Sequence, residues 1–378
     1  MNYIRHILRL ILAGIVVWVF TGFSNGQETP SRLASVPLLP DTVFQYQKPL
    51  PDFLSALLPK AELPITDEGA ALGRVLFYDL KLSKNGLVSC ASCHSQALGF
   101  DDPTKFSIGF EGKITRRHAM GLTNGRFNKT GRFFWDERAA TLEEQVLQPF
   151  FDSIEMGLNE GQLITKIRGI DYYAPLFQLA FGDGEATKKR LAQALSQFVL
   201  AMVSDQSPYD VERRKHGSAQ QSFSGFTNMQ NRGKFLFLNP VSAGGAGCGD
   251  CHESDAFVMH GPRNNGLDAV SIEDKGWGEV SGKQKDFGKF RAASLKNIAL
   301  RAPYMHDGRF TTLAGVIGHY ASGIQPHANL DPLLRNLDGT PRKLKLSRRD
   351  RLALLAFLGT LSDRKFGSDP RFSNPFRY

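Results

Sequence analysis

Two pentapeptides carry the first chemical signal, Cys90-Ala91-Ser92-Cys93-His94 and Cys248-Gly249-Asp250-Cys251-His252. Each offers two thiols and, directly after the second, an imidazole. This spacing suits covalent attachment of a c-type haem, with the thiols forming thioethers to the vinyl groups and the histidine serving as proximal iron ligand. Four cysteines in an exported chain would normally suggest two disulfides. Here all four fall in the two pentapeptides and none is left over. Two covalently bound haem c groups are therefore expected, one on Cys90, Cys93 and His94 and one on Cys248, Cys251 and His252. A redox or zinc-binding Cys-x-x-Cys pair is the alternative reading.

The surrounding elements repeat loosely. Gly73-Arg74-Val75-Leu76-Phe77 precedes the first pentapeptide by a short loop, and Gly233-Lys234-Phe235-Leu236-Phe237 precedes the second in the same way. Thr66 and Thr227 are positioned as helix caps for these stretches. A late helix is predicted in each half. Residues 188–203 carry Leu191, Leu195, Phe198, Val199 and Met202 at helical spacing, and residues 348–361 carry Leu352, Leu355, Phe357, Leu358 and Leu361. Ser347 and Asp350 form a capping-box pattern for the latter. The fold class read from this order is all-α: two tandem cytochrome c-like domains with long loops, each built around one haem. The boundaries are an extended lead-in over 27–60, an N-terminal haem domain over 61–215 and a C-terminal haem domain over 225–378.

The first 26 residues read as a signal peptide. Arg5 and Arg9 precede an apolar run from Leu10 to Phe20, and Ser24 and Gly26 are small residues suited to cleavage before Gln27. The run is shorter than the roughly 20 residues a membrane span needs. A periplasmic location is therefore expected, with an uncleaved anchor as the alternative. Losing Arg5 and Arg9 takes the formal charge from +9 to +7, and the haem propionates would lower it further. No basic stripe with interleaved aromatics is present, so nucleic acid is not an expected partner.

Several further motifs resemble one family. They are Gly86-Leu87-Val88-Ser89 before Cys90; Phe134-Trp135-Asp136-Glu137-Arg138-Ala139-Ala140; Gln145 with Glu155 ten residues on; and Ser294-Leu295-Lys296-Asn297-Ile298-Ala299-Leu300, followed by Ala302-Pro303-Tyr304-Met305-His306-Asp307-Gly308-Arg309. The chain is similar over most of residues 61–362 to the bacterial dihaem cytochrome c peroxidases and their relative MauG. The resemblance implies that the N-terminal haem is the peroxide site, with Glu155 and Gln145 above the iron, and that Trp135 lies between the haems as an electron relay. A carboxylate held there can move a proton between the two peroxide oxygens, a role worth about 10²–10⁴-fold in rate. Thr141 and Glu144 are spaced as a capping box that puts Gln145 in the first turn of a short helix. Pro149 is expected to limit that helix and leave Glu155 on a loop.

Two departures from the family pattern bear on function. Conventional members carry a histidine sixteen residues after the first haem histidine, which blocks the peroxide site until the other haem is reduced. Here that position is Phe110, which cannot ligate iron. The site is expected to be open without reductive activation, with His118 as the alternative blocking ligand. His118 also stands where conventional members have an asparagine that binds an inter-domain calcium, so the resemblance leaves open whether calcium joins the two haems as a further cofactor.

The second departure concerns the distal ligand of the C-terminal haem, a methionine in conventional members. Its counterpart here is Tyr320, as in MauG, with His319 and Met305 as rivals. Tyrosinate is a hard anionic ligand that favours high iron oxidation states. His306 and His260 are expected to be structural, and His216 and His327 to be surface loop residues.

Three functions follow. The chain is expected to be a dihaem peroxidase that reduces hydrogen peroxide with electrons from a small cytochrome c or cupredoxin. The second reading is a MauG-like oxidase acting on side chains of a partner protein. The third is a non-catalytic dihaem electron carrier, against which Glu155, Gln145 and Phe110 all argue. Family members are often dimers, and a homodimer is an assembly the resemblance allows.

Overall fold

The computed structural model describes residues 36–60 and 63–376, so the expected signal peptide lies outside the described residues. Helices and long loops make up the described chain. Among the described residues there is no β-strand, only isolated bridges.

Two helix pairs organise the core. Thr66 caps helix Asp67–Tyr78 by accepting the Gly69 N–H, and Thr187 caps helix Lys188–Ala201 by accepting the Arg190 N–H. Thr227 and Ser347 cap helices Asn228–Leu238 and Arg348–Gly359 through reciprocal capping boxes. Within each pair a glycine lets the backbones meet. A Cβ on Gly73 would fall 2.0 Å from the Ala194 carbonyl oxygen, and one on Gly233 would fall 1.9 Å from that of Ala353. Four residues after each of these positions stands a buried phenylalanine. Phe77 meets Phe198 with ring centroids 5.4 Å apart, and Phe237 meets Phe357 at 5.3 Å. Burial of each such ring stabilises the fold by about 1.5–3 kcal/mol.

The glycine-to-phenylalanine step also places each haem motif. Phe77 lies 6.4 Å from the His94 ring, and Phe237 lies 6.3 Å from the His252 ring. After each motif the chain turns through a fully buried phenylalanine with positive φ, Phe100 and Phe257. The two halves therefore repeat one local design around their pentapeptides. The tail does not follow this division: Phe366, Phe372 and Phe376 pack into the cluster formed by residues 46–202.

One expectation about the local structure is corrected. Pro149 does not end its helix, which runs from Leu142 to Phe151 with Pro149 inside it. A proline ring already has a helical φ, and its missing N–H removes one bond, to the Gln145 carbonyl. The ladder resumes beyond it, where the Asp152 N–H donates to the Gln148 carbonyl. Thr141 does cap this helix, and Glu144 reaches back to the Ala140 N–H.

Candidate active site

Each pentapeptide opens onto its own cavity. The first, of about 430 Å³, is lined by Cys93, His94, Gln145, Pro149 and Glu155. The second, of about 240 Å³, is lined by Cys248, Cys251, His252, Met305 and Tyr320. Trp135 lines both.

The four thiols are unbridged. Burial pushes Cys90 and Cys248 up to about 12 and Cys93 and Cys251 up to about 11. A redox Cys-x-x-Cys pair needs a lowered thiol pKa, so this environment is the wrong one for thiol exchange. The His94 ring is oriented to serve as a metal ligand. Nδ1–H donates to the Phe100 carbonyl at 2.9 Å, which leaves the Nε2 lone pair free. The ring is half-buried, and desolvation lowers its pKa and favours the neutral form a metal needs. His252 is half-buried too, and desolvation lowers it to about 4.

Buried donors mark the space between the cavities. Arg291 lines both cavities at 3% exposure, and its Nε has no partner. Burial pulls its guanidinium down to about 10, with Glu137 as the opposing charge. Arg301 lines the second cavity, and its Nη1 has no hydrogen-bond partner. Unsatisfied cationic donors in a dry place call for anionic acceptors. Haem brings two carboxylates as well as an apolar ring, so the residues present fit that group in both cavities.

Above the first pentapeptide, the Asp152 carboxylate fixes the turn after helix Leu142–Phe151 by accepting the N–H groups of Ile154 and Glu155 at 2.7 and 3.1 Å. Glu155 is half-buried. Burial and then the Asp152 charge raise its carboxyl to about 7, against the pull of Arg138. Gln145 faces the same cavity from the first turn of the helix. Phe110 does not line it. Its ring packs against Gly157, where a Cβ would fall 2.3 Å away, and its N–H bonds the carbonyls of Ile154 and Glu155. The Phe110 loop is thereby joined to the Glu155 turn.

His118 is 4% exposed and tied on both sides. Nδ1–H donates to the Thr104 carbonyl at 3.0 Å, and Nε2 lies 3.2 Å from the Asp101 carboxylate. Its backbone carbonyl accepts the Trp135 indole N–H at 2.8 Å. Trp135 also meets the His306 ring edge-on at 6.4 Å, and His306 stacks on Phe290 at 3.6 Å.

At the second cavity, Tyr320 sits in a single π-helical turn, His319–Gly323, that follows helix Leu313–Gly318. Such turns often re-aim a side chain at a functional site. Tyr320 lines the cavity and His319 does not. The His319 Nε2–H donates to the Asn265 backbone carbonyl at 3.0 Å, while the Asn265 side chain bonds the Tyr320 hydroxyl at 3.3 Å. Burial raises the Tyr320 phenol to about 12. The Asn265 amide also points at Met305 Sδ, 3.7 Å away. His216 and His327 lie in loops, half-buried and each partnered. His216 packs on Phe223 at 4.8 Å, and His327 bonds Asn264 and Asn329.

Comparison with known proteins decides the family. The family model "Di-haem cytochrome c peroxidase" matches residues 67–217. The methylamine utilization protein MauG of Methylorubrum extorquens is 32% identical over 306 residues, covering 80% of this chain and 80% of the relative. The chain belongs to the dihaem cytochrome c peroxidase and MauG family. The cytochrome c551 peroxidase of Nitrosomonas europaea is 31% identical over 260 residues, 67% of this chain and 73% of the relative. A solved MauG-like protein associated with microbial copper homeostasis superposes with a TM-score of 0.72 at 32% identity, covering 84% of this chain and 96% of that one. The diheme peroxidase BthA of Burkholderia thailandensis shares the fold, with a TM-score of 0.66 at 24% identity. Membership makes this chain a dihaem peroxidase-like oxidoreductase, and the family implies two haem cofactors.

Four residues with a place in the site carried no signal of their own. Asn265, Arg291, Arg301 and Asp101 lie in irregular chain, where no periodicity or cap marks them. Each gains its meaning from a partner far away in sequence.

Proposed function

We propose that this protein is a periplasmic dihaem c-type peroxidase that reduces hydrogen peroxide to water and needs no reductive activation. Electrons arrive singly from a small cytochrome c or cupredoxin, and two electrons with two protons from solvent turn each peroxide into two waters. The observation that carries this reading is a carboxyl raised to about 7, Glu155, facing the cavity beside His94 with Phe110 turned away. Bound through Cys90, Cys93 and His94, the first haem supplies the iron at which the peroxide bond is reduced.

The chain's own residues do the rest. Glu155 takes a proton from one peroxide oxygen and returns it to the other, and a pKa near the working pH suits both steps. Gln145 orients the peroxide with its amide. Cys248, Cys251, His252 and Tyr320 would hold the second haem, and Asn265 bonds the Tyr320 phenol oxygen. Trp135, which borders both cavities, carries electrons between them. The chain falls into the haem domains 61–215 and 225–378, and the tail crosses back to the first.

A second reading, a MauG-like oxidase of a partner protein, is favoured by Phe110 and Tyr320. Peroxide is a sufficient substrate for the first reading, whereas the second requires a partner that the chain does not specify. Stopped-flow oxidation of a reduced small cytochrome c or azurin-type copper protein tests the choice. Peroxidase function predicts catalytic turnover with two donors oxidised per peroxide. Failure to oxidise any such donor, with stable accumulation of the oxidised dihaem state, would overturn it in favour of the MauG-like reading.

A further inference from the structure

A buried charge cluster bridges the two halves of the chain. Asp101 and His118 come from the loops after the first pentapeptide, and Arg301 comes from the segment before Pro303. All three are 5% exposed or less. The Arg301 Nη2 donates to the Ser294 carbonyl, and its Nε lies 3.8 Å from Asp101 Oδ2. His118 Nε2 lies 3.2 Å from Asp101 Oδ1, which also accepts the Asp102 N–H at 2.9 Å. Gly121 is shaped around the guanidinium: a Cβ there would fall 2.0 Å from Nη1.

The resemblance places the inter-domain calcium of conventional members at His118. The residues present do not fit that ion. Calcium takes six to eight oxygen ligands. Here His118 and Arg301 present N–H groups, and a guanidinium cannot lose its proton to become a ligand. Both oxygens of the nearby Asp101 carboxylate already face these cations. Burial opposes a charge on His118, but the Asp101 carboxylate outweighs it and raises the imidazole above its ordinary value.

We propose that the Arg301 guanidinium, held with His118 on Asp101, takes the place of the calcium, so that the two haem sites are joined by a cation built into the chain. The cluster sets the Asp101 carboxylate, with the buried Asp102 beside it, against the Arg301 guanidinium and the His118 imidazole. Arg301 lines the second cavity and its Nη1 has no hydrogen-bond partner in the protein, so it is available to a haem propionate there. Trp135 is tied to the same seam through the His118 carbonyl. This inference rests on the dihaem reading and not on the choice of peroxide chemistry.

The test uses the full holoprotein. Elemental analysis of protein purified without chelator should find far less than one calcium per chain. Excess EGTA should leave both the melting temperature and the ferric EPR spectrum unchanged, and calorimetric titration with calcium chloride should give no saturable heat. About one calcium per chain, removed by EGTA with a change in melting temperature or spin state, would overturn the proposal. Arg301→Met should lower the melting temperature, and added calcium should not restore it; restoration by calcium, or an unchanged melting temperature, contradicts the assignment. The wild-type metal analysis decides the matter even if this variant does not fold.

Discussion

Replacing Glu155 by glutamine removes a proton carrier while keeping the size and polarity of the side chain. The carboxyl is raised from 4.5 to about 7 by burial and by the Asp152 charge. At about 1.4 kcal/mol per pH unit, that rise is worth about 3 kcal/mol between the two protonation states, less whatever water recovers at this half-buried site.

The sign follows from which form the fold prefers. A raised acid favours the fold fully below about pH 4.5, and that contribution is lost as pH rises through about 7. Wild-type protein should therefore lose stability across this window, and the Glu155→Gln variant should not. By pH 8 the variant should be the more stable of the two by up to about 3 kcal/mol. Activity moves the other way. Loss of a positioned acid–base group costs about 10²–10⁴-fold, so peroxide turnover should fall by at least about a hundredfold with both haems retained. Wild-type kcat/KM should bend near pH 7, and the variant's residual rate should not. The assay is steady-state oxidation of a reduced donor from pH 5.5 to 8.5, with haem content checked by pyridine haemochrome absorbance. Turnover within threefold of wild type, or a flat wild-type profile, would remove Glu155 from the mechanism.

Other outcomes follow from the second cavity and the helix pairs. Tyr320→Phe should alter the low-spin EPR signal of one haem and leave the other unchanged; an identical spectrum would move the ligand to His319 or to no side chain. Gly73→Ala should lower stability by about 1–3 kcal/mol, because overpacking must push the helices apart. A Cβ there would fall 2.0 Å from the Ala194 carbonyl oxygen, and calorimetry would detect the loss. An unchanged melting temperature would mean that this close contact is not needed.

Local signals in the sequence accounted for the frame. Thr66, Thr141, Thr227 and Ser347 each cap the helix their spacing suggested, because a cap is a contact between near neighbours. The repeated Gly-to-Phe step was also visible, since both pairs place glycine at the crossing and phenylalanine beside the pentapeptide histidine. Pro149 was misleading for a physical reason: one missing N–H near a helix end is a small loss that the next bond makes good. What the sequence hid were contacts between distant loops. Asn265 reaches Tyr320 across 55 residues, and Arg301 reaches Asp101 from the other half of the chain. The tail was hidden too, because Phe366 and Phe372 show their destination only when the first cluster is assembled.

The central claim is an open peroxide site over the first haem. EPR of the as-isolated ferric protein, before and after stoichiometric hydrogen peroxide and with no reductant, tests it most directly. The expected result is one high-spin and one low-spin haem, with the high-spin signal lost on peroxide addition. Two low-spin haems that do not respond to peroxide would contradict the account and return His118 as a blocking ligand.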